Sequence, residues 1–327
     1  MKKSTVIVGA LLLSVFLSAP AAFPWGWTVH TYIDEQFATK RPLQNANQLY
    51  GGLGPDLFNF RFDAPAFRDY MQARTHYDFM PVWNAAKSKP AKALAFGFVS
   101  HNEVWGIDST AHRAGITFGQ VGTIPNHPEA GGYVIAKAYI LGAGLNQALQ
   151  SAGLQLPEPV VLTVAHELVE RGVDLLMKKL DPMIGLKMAA AALPPNPNFP
   201  LLMEKAYAAD LATHFGISRI EAVKFLVSSE RQFRQTMVLY GHVLMQDDAT
   251  AIALMAEQLE EMAKAFLAAF NLPPLPDDVD LKPLLTSGIE YAMYLCATDF
   301  HAEVEATAEY VEQQLRAHGI SYGVPGR

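Results

Sequence analysis

From residue 25 onward, apolar residues recur at helical spacing in one segment after another, and no run alternates as a strand would. That single pattern restricts the chain to an all-α fold. Thr28 to Ala38, Ala64 to Met71 and Ala91 to Trp105 read as helices, the second opening on Pro65 and the third next to Pro90. Gly131 to Ala152 ends at Gly153, and a long segment opening at Pro157 or Pro159 runs through Leu180 to a stop at Pro182. Leu201 to His214, Ser218 to Met245 and Thr250 to Phe270 follow, with Ser218 and Glu221 forming a capping box. A last helix runs from about Leu284 to His318, with a break expected at Ser287-Gly288. Gly115 to Pro128 reads as a loop. Pro-rich joints at Leu193–Pro200 and Leu272–Asp278 read as connections within one bundle rather than as domain boundaries.

Histidines and carboxylates lie inside these apolar segments, where each is costly without a partner. His166 and Glu170 are four apart and share a helix face, the spacing that lets two side chains reach one metal ion; Asp174 continues that face. The alternative is a surface stripe in which Glu170 pairs with Arg171 or with water. His101, Asp108 and His112 would also share a face on a continuous helix, with Asp108 and His112 each about 20° from His101. The rise from His101 to Asp108 would then be about 10 Å. Either the two serve neighbouring ions, or the helix breaks at Gly106 and brings Asp108 back. Asp56 follows a Gly-rich turn, Gly51-Gly52-Leu53-Gly54-Pro55, which suits a loop-borne ligand or a helix cap. His76 lies in Arg74-Thr75-His76-Tyr77-Asp78.

Half of the residues are hydrophobic and 17% are charged, enough for a substantial core. The net charge is −7 with no basic tract, so no duplex nucleic acid partner is expected. Met1-Lys2-Lys3, the apolar run Thr5 to Ser18 and Ala19-Pro20-Ala21 read as an export signal over residues 1–21, with the mature chain at 22–327. The alternative is a membrane anchor, for which the run is short. No Cys follows it, which argues against a lipid anchor. The expected location is periplasmic or secreted. Cys296 is the one cysteine, reads as buried and inert, and allows no internal disulfide.

Taken in order, these residues resemble the zinc-dependent phospholipase C and S1/P1 nuclease superfamily. Its pattern is an N-terminal Trp followed by His, Asp, His, His, Asp, His, His and a carboxylate. The matching positions are Trp25, His30, Asp56, His76, His101, Asp108, His112, His166 and Glu170, covering about 25–175. The part from about 195 to 327 carries no family motif. The resemblance implies an all-α, multi-helix domain with a cluster of two to three zinc ions. One zinc would take Asp56, His76, His101 and Asp108. A second would take His112, His166 and Glu170. A third would take His30, a shared Asp108 and the amine and carbonyl of Trp25, if Trp25 is the mature N-terminus. Two departures stand out. The family's Asp follows its His by one turn, where this chain has Trp105, with Glu103 the nearest other acid. Cleavage after Ala21 or Ala22 would leave residues ahead of Trp25.

The implied activity is hydrolysis of a phosphodiester by a metal-activated water, with Asp56 as general base. The favoured substrate is a phospholipid, with peripheral membrane contact. The aromatic stretch Asp56-Leu57-Phe58-Asn59-Phe60-Arg61-Phe62 would meet a quaternary ammonium head group or dip into lipid. The alternatives are a single-strand nuclease or phosphatase, with Trp27, Trp83 and Trp105 as stacking platforms, and a non-catalytic metal-binding protein. His214, His242 and His301 read as structural.

Overall fold

The computed structural model describes residues 25–37, 42–124, 127, 130–151, 156–194, 196–269 and 280–321. The expected export signal and the Leu272–Asp278 joint lie outside the described residues. Every regular element among the described residues is helical, as the periodicity predicts. None of these helices is long and apolar enough to cross a membrane.

The chain divides into two compact units, each discontinuous in sequence. The second unit, Trp27–Thr110, Met177–Met245 and Val304–Arg327, does not break at the Leu193–Pro200 joint. It begins with α1 (Trp27–Gln36) and α2 (Pro42–Leu53), followed by a 3-10 turn at Gly54–Phe58. Next come α3 (Pro65–Tyr77), α4 (Met80–Ala85) and α5 (Lys89–His101), and α6 (Ile107–His112) starts in this unit. Later it takes in α7 (Ile184–Ala192), α8 (Asn198–Phe215) and α9 (Arg219–Leu244). Its core is strongly aromatic, with Tyr50 edge-on to Phe199 at 5.3 Å and Phe58 stacked on Phe225 at 5.7 Å. The α2–α5 pair packs unusually close. A Cβ on Gly97 would overlap the Gln48 carbonyl and the Gly52 nitrogen, and one on Gly51 would overlap the Leu94 carbonyl. Glycine is therefore needed for contact rather than for a turn. This corrects the expected Gly-rich loop: Gly51 and Gly52 belong to α2, and Asp56 comes from the 3-10 turn that Pro55 opens.

The predicted capping box is present. Glu221 N–H donates to Ser218 Oγ at 3.2 Å, and Ser218 N–H donates to Glu221 Oε2 at 2.9 Å.

The first unit takes in Met1–Gly26, Ala111–Leu176 and Gln246–Glu303. Its helices are α10 (Tyr133–Ser151), most of α11 (Glu158–Leu180), α12 (Asp248–Ala269) and α13 (Lys282–Cys296). The last expected helix is in fact two, α13 and α14 (Phe300–Ala317), and they part at 297–299 rather than at Ser287-Gly288. Gly288 lies inside α13, where a Cβ would press on the Leu168 side chain. Trp25 is fully buried, its indole stacked on Tyr133 at 4.9 Å. Tyr133 Oη donates to Asp299 at 2.6 Å, and Lys137 Nζ donates to the same carboxylate and to the Leu295 carbonyl. Cys296 is buried as expected, and burial pushes its thiol up to about 12, so it stays protonated.

Candidate metal centre

The second unit brings five of the expected ligands together. His30 comes from α1, Asp56 from the 3-10 turn and His76 from the last turn of α3. His101 is the last residue of α5, and Asp108 lies in the first turn of α6. All five side chains are fully buried.

Asp108 reaches this site because α5 stops sooner than its apolar pattern predicts. Asn102 ends it: its Oδ1 accepts the N–H groups of Val104, Trp105 and Gly106 at 2.8, 2.9 and 3.2 Å, and its Nδ2 donates to the Val99 carbonyl at 2.7 Å. The turn that follows is tied to α3 by Glu103 N–H donating to the His76 carbonyl at 3.1 Å. Gly106 has no room for a side chain, since a Cβ would meet the Ser100 carbonyl and the Asn102 backbone. The broken-helix alternative therefore holds, and the 10 Å separation of a continuous helix disappears.

Asp108 bridges the group. Its Oδ1 lies 3.0 Å from His30 Nε2, and its Oδ2 lies 2.8 Å from His101 Nε2 and 3.7 Å from His76 Nε2. Asp56 Oδ1 lies 3.4 Å from His76 Nε2 and 3.9 Å from His101 Nε2. Two ligand trios result, His30–His101–Asp108 and Asp56–His76–His101, each with its ligand atoms within 4.8 Å of one another. Bonds of about 2.0–2.1 Å to a tetrahedral ion place ligand atoms roughly 3.3 Å apart. The observed spacings bracket that value. His30 and His101 also stack, with ring centroids 4.0 Å apart.

The proton positions follow from the partners. His76 Nδ1 lies 2.8 Å from the Gln72 carbonyl, and His101 Nδ1 lies 2.7 Å from the Gly52 carbonyl. A carbonyl oxygen only accepts, so each Nδ1 carries the hydrogen and the neutral ring turns an Nε2 lone pair inward. Those two Nε2 atoms make no hydrogen bond, although carboxylate oxygens stand close to them. Acceptors converging on acceptors in a buried site call for a cation. Backbone carbonyls on the outer ring nitrogens are the usual way metal-binding histidines are oriented.

The charges agree. Burial draws the His101 imidazole below its ordinary range, against the pull of Asp56. Without a cation in the site, burial works to raise Asp56, but His101 and His76 in their protonated forms and the Trp27 N–H together hold it below the usual carboxylate range. Trp27 Nε1 donates to Asp56 Oδ2 at 2.9 Å, and Asn59 Nδ2 donates to Oδ1 at 3.0 Å. Gln72 in turn donates to Asn59 Oδ1 at 3.2 Å. Sequence reasoning missed these supporting residues.

The first unit holds a separate trio, His112, His166 and Glu170. His112 Nε2 lies 3.2 Å from His166 Nε2, which lies 2.9 Å from Glu170 Oε1. His166 and Glu170 share the expected face of α11 and are buried, which overturns the surface-stripe alternative. Arg171 pairs with Glu167 at 3.3 Å, and its other arm lies 3.9 Å from Asp174. All three groups fit a divalent cation bound by imidazole nitrogen and carboxylate oxygen.

Other expectations are corrected. Trp27 and Trp105 are buried and offer no stacking platform; Trp105 is stacked on His318 at 4.6 Å. Trp83 carries Lys92 Nζ over its ring at 3.6 Å. Phe58 is core, while Phe60 and Phe62 are half-buried. Glu103, the other acid considered, belongs to none of the trios. His214 stacks on Tyr70 at 3.9 Å, and His242 and His301 are exposed.

No family model, no curated protein and no solved structure matches the chain.

Proposed function

We propose that the chain is an exported zinc-dependent hydrolase of phosphodiesters, of the phospholipase C type. The observation that carries this reading is the bridging Asp108. It stands between His30 and His101, beside Asp56 and His76, in the ligand order of that superfamily. The mixed nitrogen and oxygen donors and the spacing near 3.3 Å favour zinc over a hard, oxygen-seeking ion. Zinc supplies the charge that acidifies water near neutral pH and neutralises phosphate oxygens.

The chain's own residues do the rest. Carbonyls at Gln72 and Gly52 aim the imidazoles of His76 and His101. Trp27 and Asn59 fix the Asp56 carboxylate in place. Asp56 is the candidate general base. Its low pKa makes it a weak one, so its larger contribution is as a ligand. A phospholipid is preferred to single-stranded nucleic acid because Trp27 and Trp105 are enclosed and present no face to a base.

The test is to measure zinc content and the hydrolysis of phosphatidylcholine vesicles and of single-stranded DNA, for the protein and for His166→Ala and Glu170→Ala. We expect vesicle hydrolysis that stops on chelation, returns with zinc and is lost in both variants. Full activity with full metal content in either variant would overturn the assignment. Cleavage of DNA alone would overturn the substrate.

A further inference from the structure

Asp34 is a fully buried acid that no ligand trio uses. It lies on α1, one turn after His30, and its neighbours all lead to the metal centre. Asp34 Oδ1 is 2.8 Å from Ser100 Oγ, and Ser100 directly precedes His101. Asp34 Oδ2 presses on Gly52 so closely that a Cβ there would overlap it. The Gly52 carbonyl is the one that receives His101 Nδ1–H at 2.7 Å. Gln48 Nε2 donates to the Asp34 backbone carbonyl at 2.8 Å, adding a tie from α2. One carboxyl group thus touches both the residue before His101 and the residue that orients its ring.

Counting hydrogens leaves room for a neutral form of that carboxyl. Ser100 Oγ lies within hydrogen-bond distance of two oxygens, Asp34 Oδ1 and, at 2.7 Å, the Gly97 carbonyl. A serine has one hydrogen. Ser100 Oγ–H can reach either oxygen; when it is given to the Gly97 carbonyl, which can only accept, a protonated Asp34 supplies the hydrogen for the other contact. The enclosed setting favours the same neutral acid, since burial pushes Asp34 well above the usual carboxylate range.

We propose that Asp34, as a neutral acid donating to Ser100, is a positioning residue that locks the His101 ring and the α1–α2–α5 junction beneath the His30–His101–Asp108 trio. It touches no metal and acts through Gly52 and Ser100. This rests on the metal-centre reading, and its test separates the two. Metal-free protein would be titrated with Co²⁺, following affinity and the visible absorption of the bound ion, for the wild type and for Asp34→Asn, Asp34→Ala and Ser100→Ala.

Asp34→Asn keeps shape and a donor, and should match the wild type in affinity and spectrum. Asp34→Ala and Ser100→Ala should weaken binding about 10–100-fold, the range for lost partners behind a ligand, and should alter the absorption bands while helicity is unchanged. If Asp34→Ala fails to fold, Ser100→Ala decides. Wild-type affinity and bands in the variants lacking the link would overturn the positioning role. An Asn variant as impaired as the Ala variant would overturn the neutral-donor form. A wild-type protein that binds no Co²⁺ would instead overturn the metal centre itself.

Discussion

A neutral buried acid carries a thermodynamic signature of its own. Ser100, Gln48 and Gly52, which face Asp34, are uncharged, and burial outweighs what the Ser100 and Gln48 hydrogen bonds do to favour an ionised carboxylate. Its pKa is raised in the fold, so the folded chain holds a proton that the unfolded chain has released above pH of about 4. The stabilising contribution is whole below that pH and is lost as pH climbs toward the folded pKa. In that window the group costs about 1.4 kcal/mol of stability per pH unit. Asp34→Asn has no proton to take up. Its stability relative to the wild type should therefore grow by that slope. Urea unfolding of both metal-free proteins at several pH values between 5 and 7 would measure it. A difference that does not change with pH would mean that Asp34 is ionised in the fold.

At the scale of the element, the turn between α5 and α6 decides whether the second unit has a bridging ligand at all. Asn102 alone supplies four side-chain hydrogen bonds there. Asn102→Ala would remove a cap worth about 1–2 kcal/mol and release Asp108 from its place beside His30 and His101. We expect a lower melting temperature in the metal-free protein and, separately, fewer bound zinc ions per chain. Unchanged zinc content would show that the turn is not what delivers Asp108.

The same turn shows where sequence reading stops. The apolar period carries on past His101 through Val104 and Trp105, so the pattern alone runs the helix to Trp105. The stop depends on an asparagine side chain reaching forward to its own backbone, which hydropathy does not register. Gly51 and Gly52 were misplaced for a related reason. A glycine demanded by a neighbouring helix looks the same in sequence as one demanded by a turn. His166 and Glu170 were legible because their relation is local, one helical turn on one face. The Trp27 donor to Asp56 was not, since it stands 29 residues away along the chain. One signal could have exposed Asp34. The first helix carries Thr28, His30, Thr31 and Asp34 among its buried residues, too many polar groups for a face packed only for its hydrophobicity.

For the whole molecule, the balance of buried charge makes stability depend on metal. Asp56 and Asp108 lie at full burial among imidazoles whose inner nitrogens carry lone pairs. Enclosed ions without compensation cost several kcal/mol each, and no disulfide can offset this, since Cys296 is the one cysteine. A cation that binds only the folded chain stabilises it by about 4 kcal/mol when its free concentration is a thousand times its dissociation constant. At about 2–4 °C per kcal/mol for chains of this order, chelation should lower the melting temperature by roughly 10 °C. Zinc should restore it, and magnesium should not, because three of the five donors in the second unit are imidazoles. Acid should mimic the chelator, because a proton on the inward nitrogen competes directly with the cation. Burial already disfavours the charged form of His101, so this loss should begin below the ordinary imidazole range rather than within it. Thermal melts with and without zinc, taken from pH 7 down to 5, would follow both effects at once. A melting temperature that ignores chelator, zinc and pH alike would leave the buried carboxylates compensated by something other than a metal.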